Sequence, residues 1–111
     1  MAVSEIPRLL DFNDIKVFKT DNAGATAATL KFSGTSRYVA LISTMRPATD
    51  GQGLYAVHGY GATVIVTPLK TSALVTISNT TNGVSIAASA NVAITVVVLW
   101  DANDSASFSY S

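Results

Sequence analysis

The stretch ALVTISNTTNGVSIAAS, Ala73 to Ser89, holds two runs of alternating apolar and polar residues on either side of Asn79-Thr80-Thr81-Asn82-Gly83. Alternation puts every second side chain on the same side of an extended chain. Asn-Gly accepts the positive φ that a tight connection demands. The stretch therefore predicts a β-hairpin with one face buried and the other polar, and a hairpin calls for further antiparallel strands to cover its apolar side.

The flanking sequence supplies them. On the C-terminal side, NVAITVVVLW (Asn91 to Trp100) is dense in β-branched residues that fit a pleated surface. Its loss of alternation around Val96 to Leu99 predicts burial on both faces. DANDS then reads as a turn, and ASFSYS closes with Phe108 and Tyr110 on one face and serines on the other. On the N-terminal side, ATVIVTP ends at Pro68, which has no N–H to give a central ladder. LYAVHGY precedes it, after the loop RPATDGQG from Arg46 to Gly53. RYVALISTM, Arg37 to Met45, has the apolar length of a central strand. ATLKFSG places Leu30 and Phe32 on one side with Lys31 between them, and IKVFK alternates ahead of a turn at Asp21, Asn22 and Gly24. Only SEIPRLLDF hints at a helical period, as a single turn capped by Ser4 with Pro7 in its first positions. The expected fold is all-β: a jelly-roll-like antiparallel β-sandwich of about eight strands, one domain over residues 1–111, with that helical turn at the N-terminus.

Within LYAVHGYG, alternation puts Leu54, Ala56, His58 and Tyr60 on one face and Tyr55 and Val57 on the other. Glycine inside a strand pattern marks a bulge, bend or close backbone approach. Gly59 and Gly61 are accordingly expected to form a corner at which the chain leaves one sheet for the other.

Composition narrows the function. Only 13% of the 111 residues are charged and 49% are hydrophobic, with seven Lys and Arg balancing seven Asp and Glu. Mean hydropathy is +0.38. A small domain has much surface for its volume, so this shortage of charge predicts that sister copies cover part of it. The basic residues are scattered, with no stripe for nucleic acid and no basic amphipathic helix for a membrane surface. The longest apolar run, Val92 to Trp100, falls well short of the roughly 20 residues of a membrane helix. Glu5, Pro7 and Arg8 interrupt what a signal peptide would need. A soluble chain without signal peptide or membrane span is expected. With no cysteine, disulfides and thiolate metal sites are excluded.

Catalytic motifs do not emerge. One histidine would have to serve any Ser-His or metal-assisted scheme, and no nucleophile elbow, phosphate loop or HExxH helix occurs. Most of the carboxylates sit in turn contexts, where Asp bonds its own backbone. The expectation is a non-enzymatic protein without catalytic residues, cofactor or metal. DANDS brings Asp101, Asn103 and Asp104 together, but it lacks the later glutamate of a calcium loop and reads as a turn.

Ligand recognition has better material. Tyr55, His58, Tyr60, Trp100 and Tyr110 carry rings able to stack on sugars and hydrogen-bond at the edge. Arg37 and Arg46 can fork onto a carboxylate or hydroxyl pair. The candidate ligand-binding residues are Arg37, Arg46, Tyr55, His58, Tyr60 and Trp100. The competing role for His58 is packing beside Leu54 and Tyr60. That for Trp100 is filling a core or an interface at the end of the most apolar strand.

LYAVHGYG running into ATVIVTP, the hairpin VTISNTTNGVSIAA and the closing AITVVVLW resemble the small jelly-roll or β-sandwich head domains of bacteriophage tail fibres and other virion proteins. The resemblance covers Arg37 to Trp100 and has no diagnostic motif, so it assigns no site residue. It implies a virion protein, trimeric about a threefold axis, that attaches to host-surface carbohydrate. Packing between copies would use Val92 to Trp100 or Phe108 to Tyr110. Two alternatives accompany it: a capsid or decoration protein with no soluble ligand, its partners other virion proteins, and a stand-alone sugar-binding lectin.

Overall fold

In the computed structural model the described residues are 15–23, 27–46, 52–89 and 91–110. The helical turn expected around Ser4 and Pro7 lies outside them. Among these residues nine strands follow in this order: β1 (Lys16–Ala23), β2 (Ala28–Lys31), β3 (Arg37–Met45), β4 (Gly53–Tyr60), β5 (Thr63–Lys70), β6 (Val75–Thr80), β7 (Gly83–Ala88), β8 (Val92–Asp101) and β9 (Ser107–Tyr110). They form two antiparallel sheets, β1-β8-β3-β4-β5 and β6-β7-β2-β9. The all-β sandwich holds, with one strand more than expected. No helix among the described residues is long and apolar enough to cross a membrane.

Nested pairing gives the roll. β1 and β3 both pair with β8, while β2 pairs with β7 and β9. The two ends of the chain are thereby wound together. β4 and β5 stay beside β3 as a meander, and β6 stays beside β7. β3 runs over the residues that its apolar length marked, with strict alternation from exposed Arg37 and buried Tyr38 to buried Thr44 and exposed Met45.

The core fills the space between the sheets. Tyr38, Ile42, Val57, Ile94 and Val96 come from one sheet and Leu30, Val84 and Ile86 from the other, all fully buried or nearly so. Each such side chain contributes about 1.5–3 kcal/mol relative to exposure. Two ring pairs brace the sides: Phe32 stacks on Tyr38 at 3.9 Å and Phe18 on Phe108 at 5.9 Å. Asn79 joins the sheets by donating from Nδ2 to the Val64 carbonyl at 3.1 Å. The β6–β7 hairpin forms as expected. Thr80 faces Gly83, and the positive φ of 60° falls on Asn82.

The corner expected at Gly59 to Gly61 is absent. β4 and β5 lie side by side in one sheet, with Tyr60 opposite Thr63 and a two-residue connection, Gly61-Ala62. Gly61 has φ +54°, and glycine at the first central position is what a type II′ hairpin loop requires. Gly59 has a different duty. A Cβ there would meet the Thr63 carbonyl oxygen and lie 2.8 Å from the Tyr38 hydroxyl. One glycine makes the turn, and the other lets the backbones approach.

β5 continues past Pro68 to Lys70, because it is an edge strand and its free side needs no donor. β1 likewise continues through Asp21 and Asn22, with a register irregularity between Thr20 and Ala23, where a turn was expected. Gly24 lies outside the described residues.

The outer faces of the two sheets differ in character. On the four-stranded sheet, Ser78, Ser85, Thr29 and Ser109 line up across the strands. On the five-stranded sheet, Val17 is 57% exposed, Ile65 47% and Met45 58%, and Val39, Leu54 and Trp100 are exposed as well. β8 reconciles both patterns: Val96 and Val98 are buried inward, while Val97 and Leu99 are half-buried outward. Its unbroken apolar run reflects an inner face in the core and an outer face that is itself apolar.

Candidate functional site

Three connections meet at one end of the sandwich, and Asp101 ties two of them. Its carboxylate accepts from the Ser36 hydroxyl, from the Ser105 N–H at 2.6 Å and from the Ala106 N–H at 2.6 Å. The Ser105 hydroxyl approaches it at 3.2 Å. Burial by itself would raise the Asp101 pKa. The Ser36 hydroxyl, the two backbone N–H groups and the Ser105 hydroxyl outweigh that, and hold the carboxyl below its ordinary 3.8.

Asn103 donates from Nδ2 to Ser33 Oγ and Thr35 Oγ1, at 2.9 and 2.8 Å, binding the β8–β9 turn to the β2–β3 loop. The β4–β5 loop joins through the Gly61 N–H, which donates to the Ser36 carbonyl at 2.9 Å. From the core side, the Tyr38 hydroxyl donates to the Gly61 carbonyl at 2.8 Å. Burial pushes the Tyr38 hydroxyl above its ordinary 10.0, so it stays a donor. DANDS is the expected turn, with the Asp104 N–H donating to the Asp101 carbonyl at 3.0 Å.

Beside this rigid end, on the outer face of the five-stranded sheet, lies an open depression of about 380 Å³ lined by Arg37, Tyr38, Val39, His58, Gly59, Tyr60 and Trp100. Strand register explains the grouping. Trp100 of β8 faces Val39 of β3, Val39 faces His58 of β4, and His58 faces Ile65 of β5. Four adjacent strands thus present one row, spanning about 14 Å at a strand spacing of about 4.8 Å. Arg37 faces Tyr60 one step nearer the rim, its guanidinium carbon 5.5 Å from the ring centre. Trp100 reaches the row because of an irregularity in β8: Val39 pairs with Trp100, but Ala40 pairs with Val98, leaving Leu99 without an opposite number.

Of the residues singled out from sequence, Arg37, His58, Tyr60 and Trp100 come together here. His58 is exposed on the outer face and not packed in the core. Trp100 is 38% exposed and lines the depression, so it is not core filler. Tyr55 is elsewhere: it is 4% exposed on the inner face, where its hydroxyl accepts the Ser72 N–H at 2.8 Å. Arg46 is elsewhere too, just past the far end of β3, about 30 Å from Arg37 at about 3.4 Å per strand residue. There it lines a separate depression with Met45, Gln52 and Ala93. Val39, between Trp100 and His58, escaped the sequence reading because it stands out only once strands are in register.

No family model matches the chain, and no curated protein matches it in sequence. In three dimensions it is similar to the tailspike protein gp49 of Acinetobacter baumannii bacteriophage Fri1, described as a capsular polysaccharide depolymerase. The TM-score is 0.55 at 17% identity, over 97% of this chain and 21% of that one. It is also similar to the tailspike protein of Acinetobacter phage vB_ApiP_P1, with TM-score 0.43 and 14% identity over 100% of this chain and 25% of that one. The fold is therefore one that occurs in a phage tailspike protein, and the chain spans about a fifth to a quarter of the length of these proteins.

The likeness corrects the expectation of a non-enzymatic protein. The fold is shared with a protein described as an enzyme, and this chain covers only 21% of it. Missing catalytic motifs in such a fraction do not set the fold apart from enzymes.

Proposed function

We propose that this chain is a module of a phage tail protein, one domain over residues 1–111, that holds host-surface polysaccharide in the depression lined by Arg37, His58, Tyr60 and Trp100. The observation that carries the reading is the convergence of those four side chains on one open sheet face beside a hydrogen-bonded loop cluster. Aromatic rings offer stacking surfaces for sugar faces, and a rigid frame lowers the ordering cost of binding. The fold shared with a tailspike described as a capsular polysaccharide depolymerase supports the class of ligand and a location in the virion.

The same reading includes assembly as a homotrimer. Val17 and the outward side chains of β8, Val97 and Leu99, form an apolar flank on the opposite side of the sheet from β4 and β5. Covering that flank with sister copies removes apolar area from water at about 25 cal/mol per Å². Three copies of a modest site would then gain strength together.

The test is a glycan array probed with the assembled protein, followed by Tyr60→Ala and Trp100→Ala. Both variants should lose binding while unfolding at the parental temperature. A clean negative on the array would favour a capsid or decoration protein that docks on other virion proteins. For assembly, sedimentation should show a species near three times the 11.5 kDa chain, and a single-chain mass there would defeat the trimer.

A further inference from the structure

Resting on that reading of the site, we infer that the polymer it takes is acidic, with a carboxylate on the sugar unit that contacts Arg37. The lining carries one fixed cation, Arg37, beside the Tyr60 hydroxyl, the His58 ring and the Trp100 indole. Arg37 offers five N–H groups and no acceptor, and the Trp100 indole is a donor only. The Tyr38 hydroxyl is committed to the Gly61 carbonyl. The backbone carbonyls of β3 and β4 serve the sheet ladder.

Among the described residues no carboxylate lines the depression. Among the described residues Asp101 is held by Ser36, Ser105 and Ala106, and Asp104 is ion-paired with Lys16 at 2.7 Å. The Arg37 guanidinium has no anionic partner among those residues, and its ring contact with Tyr60 favours a fixed position.

A neutral sugar can use the Tyr60 hydroxyl and a His58 ring nitrogen, but it leaves the Arg37 guanidinium without a charged partner. A carboxylate only accepts. It fits the planar fork of a guanidinium through two parallel bonds, and His58 stands one row away as a further nitrogen-bearing group. Overall attraction is not the source, since seven basic and seven acidic residues cancel.

The test compares polygalacturonate, alginate and hyaluronate with their carboxyl-reduced counterparts, using the fluorescence of Trp100, the single tryptophan of the chain. The acidic polymers should bind at least about tenfold more tightly than the reduced ones, the factor expected for one charge-assisted bond. Arg37→Ala should erase that preference. Arg37→Lys, which keeps the charge but not the fork, should erase most of it. Arg37 is exposed strand surface, and unfolding temperature checks that the fold is kept.

Equal or tighter binding of the reduced polymers, lost with Tyr60→Ala, would overturn the acidic assignment and leave the site standing. Acidic binding indifferent to Arg37→Ala would overturn it as unspecific charge attraction. Binding of neither set would remove the site reading itself, and the inference with it.

Discussion

Replacing Asp101 tests the idea that the loops around the depression form one hydrogen-bonded unit. In Asp101→Asn the remaining carbonyl oxygen can take the place of Oδ2 and keep the N–H groups of Ser105 and Ala106, now as neutral bonds. The new amide nitrogen then faces Ser36, whose hydroxyl can turn to accept. Charge-assisted bonds are roughly twice as strong as neutral ones, so about 1 kcal/mol is lost at each N–H. Relief of the partial burial of a charge returns some of this, leaving a net loss of about 1–2 kcal/mol. Asp101→Ala leaves both N–H groups without this acceptor and should cost more, about 3 kcal/mol. At about 4 °C per kcal/mol for a chain of this size, thermal unfolding should fall by about 4–8 °C for Asn and by about 12 °C for Ala.

The pH dependence carries a fixed sign. The folded carboxyl titrates below the unfolded value of 3.8, so its contribution is fully present above that value and is lost as pH falls through the lower, folded one. The gap between parent and Asp101→Asn should be flat near neutrality and close only in strong acid. Urea unfolding followed by circular dichroism at several pH values reads both effects. An alanine variant within about 0.5 kcal/mol of the parent at neutral pH would refute the argument, and so would a gap that survives acidification unchanged.

Three further outcomes are expected. Gly59→Ala should lower the urea midpoint by the equivalent of about 2–3 kcal/mol or prevent folding, because the added methyl meets the Thr63 backbone, which has no way to swing aside. Tyr55→Phe should cost about 1–2 kcal/mol through loss of the acceptor for the Ser72 N–H, visible as faster amide exchange at Ser72, with polysaccharide affinity unaltered. Val17→Asp should leave the single-chain fold intact to within about 0.5 kcal/mol, yet shift sedimentation from trimer to monomer.

Much of the fold is legible because alternation is a local property. In Ala73 to Ser89 the alternation on either side of Asn82-Gly83 declares the hairpin, and β6 and β7 form over those residues. The same rule puts Tyr55 on the opposite face from His58 and Tyr60, and the structure turns that face to the core. Its ring chemistry suggested a site, but its place in the alternation decided its burial. Gly59-Tyr60-Gly61 misled because two glycines two residues apart suit a bend as well as a hairpin, and only the pairing of Tyr60 with Thr63 separates the two. Arg46 misled because nearness in sequence along a strand means distance in space. Val39 and the Leu99 irregularity, which complete the row between Trp100 and His58, depend on pairing between strands 60 residues apart in the chain, and no local pattern encodes that register.

The outer margin of the meander has a consequence for how copies can meet. Pro68 offers no N–H, register slips beside it at Leu69, and Lys70 puts a charge at the end of the same strand. A neighbour that tried to extend the ladder there would find a missing donor, a broken rhythm and an ammonium group to desolvate. Growth into fibrous stacks is disfavoured along this margin, which leaves the sheet faces as the surfaces through which copies of this apolar chain would meet.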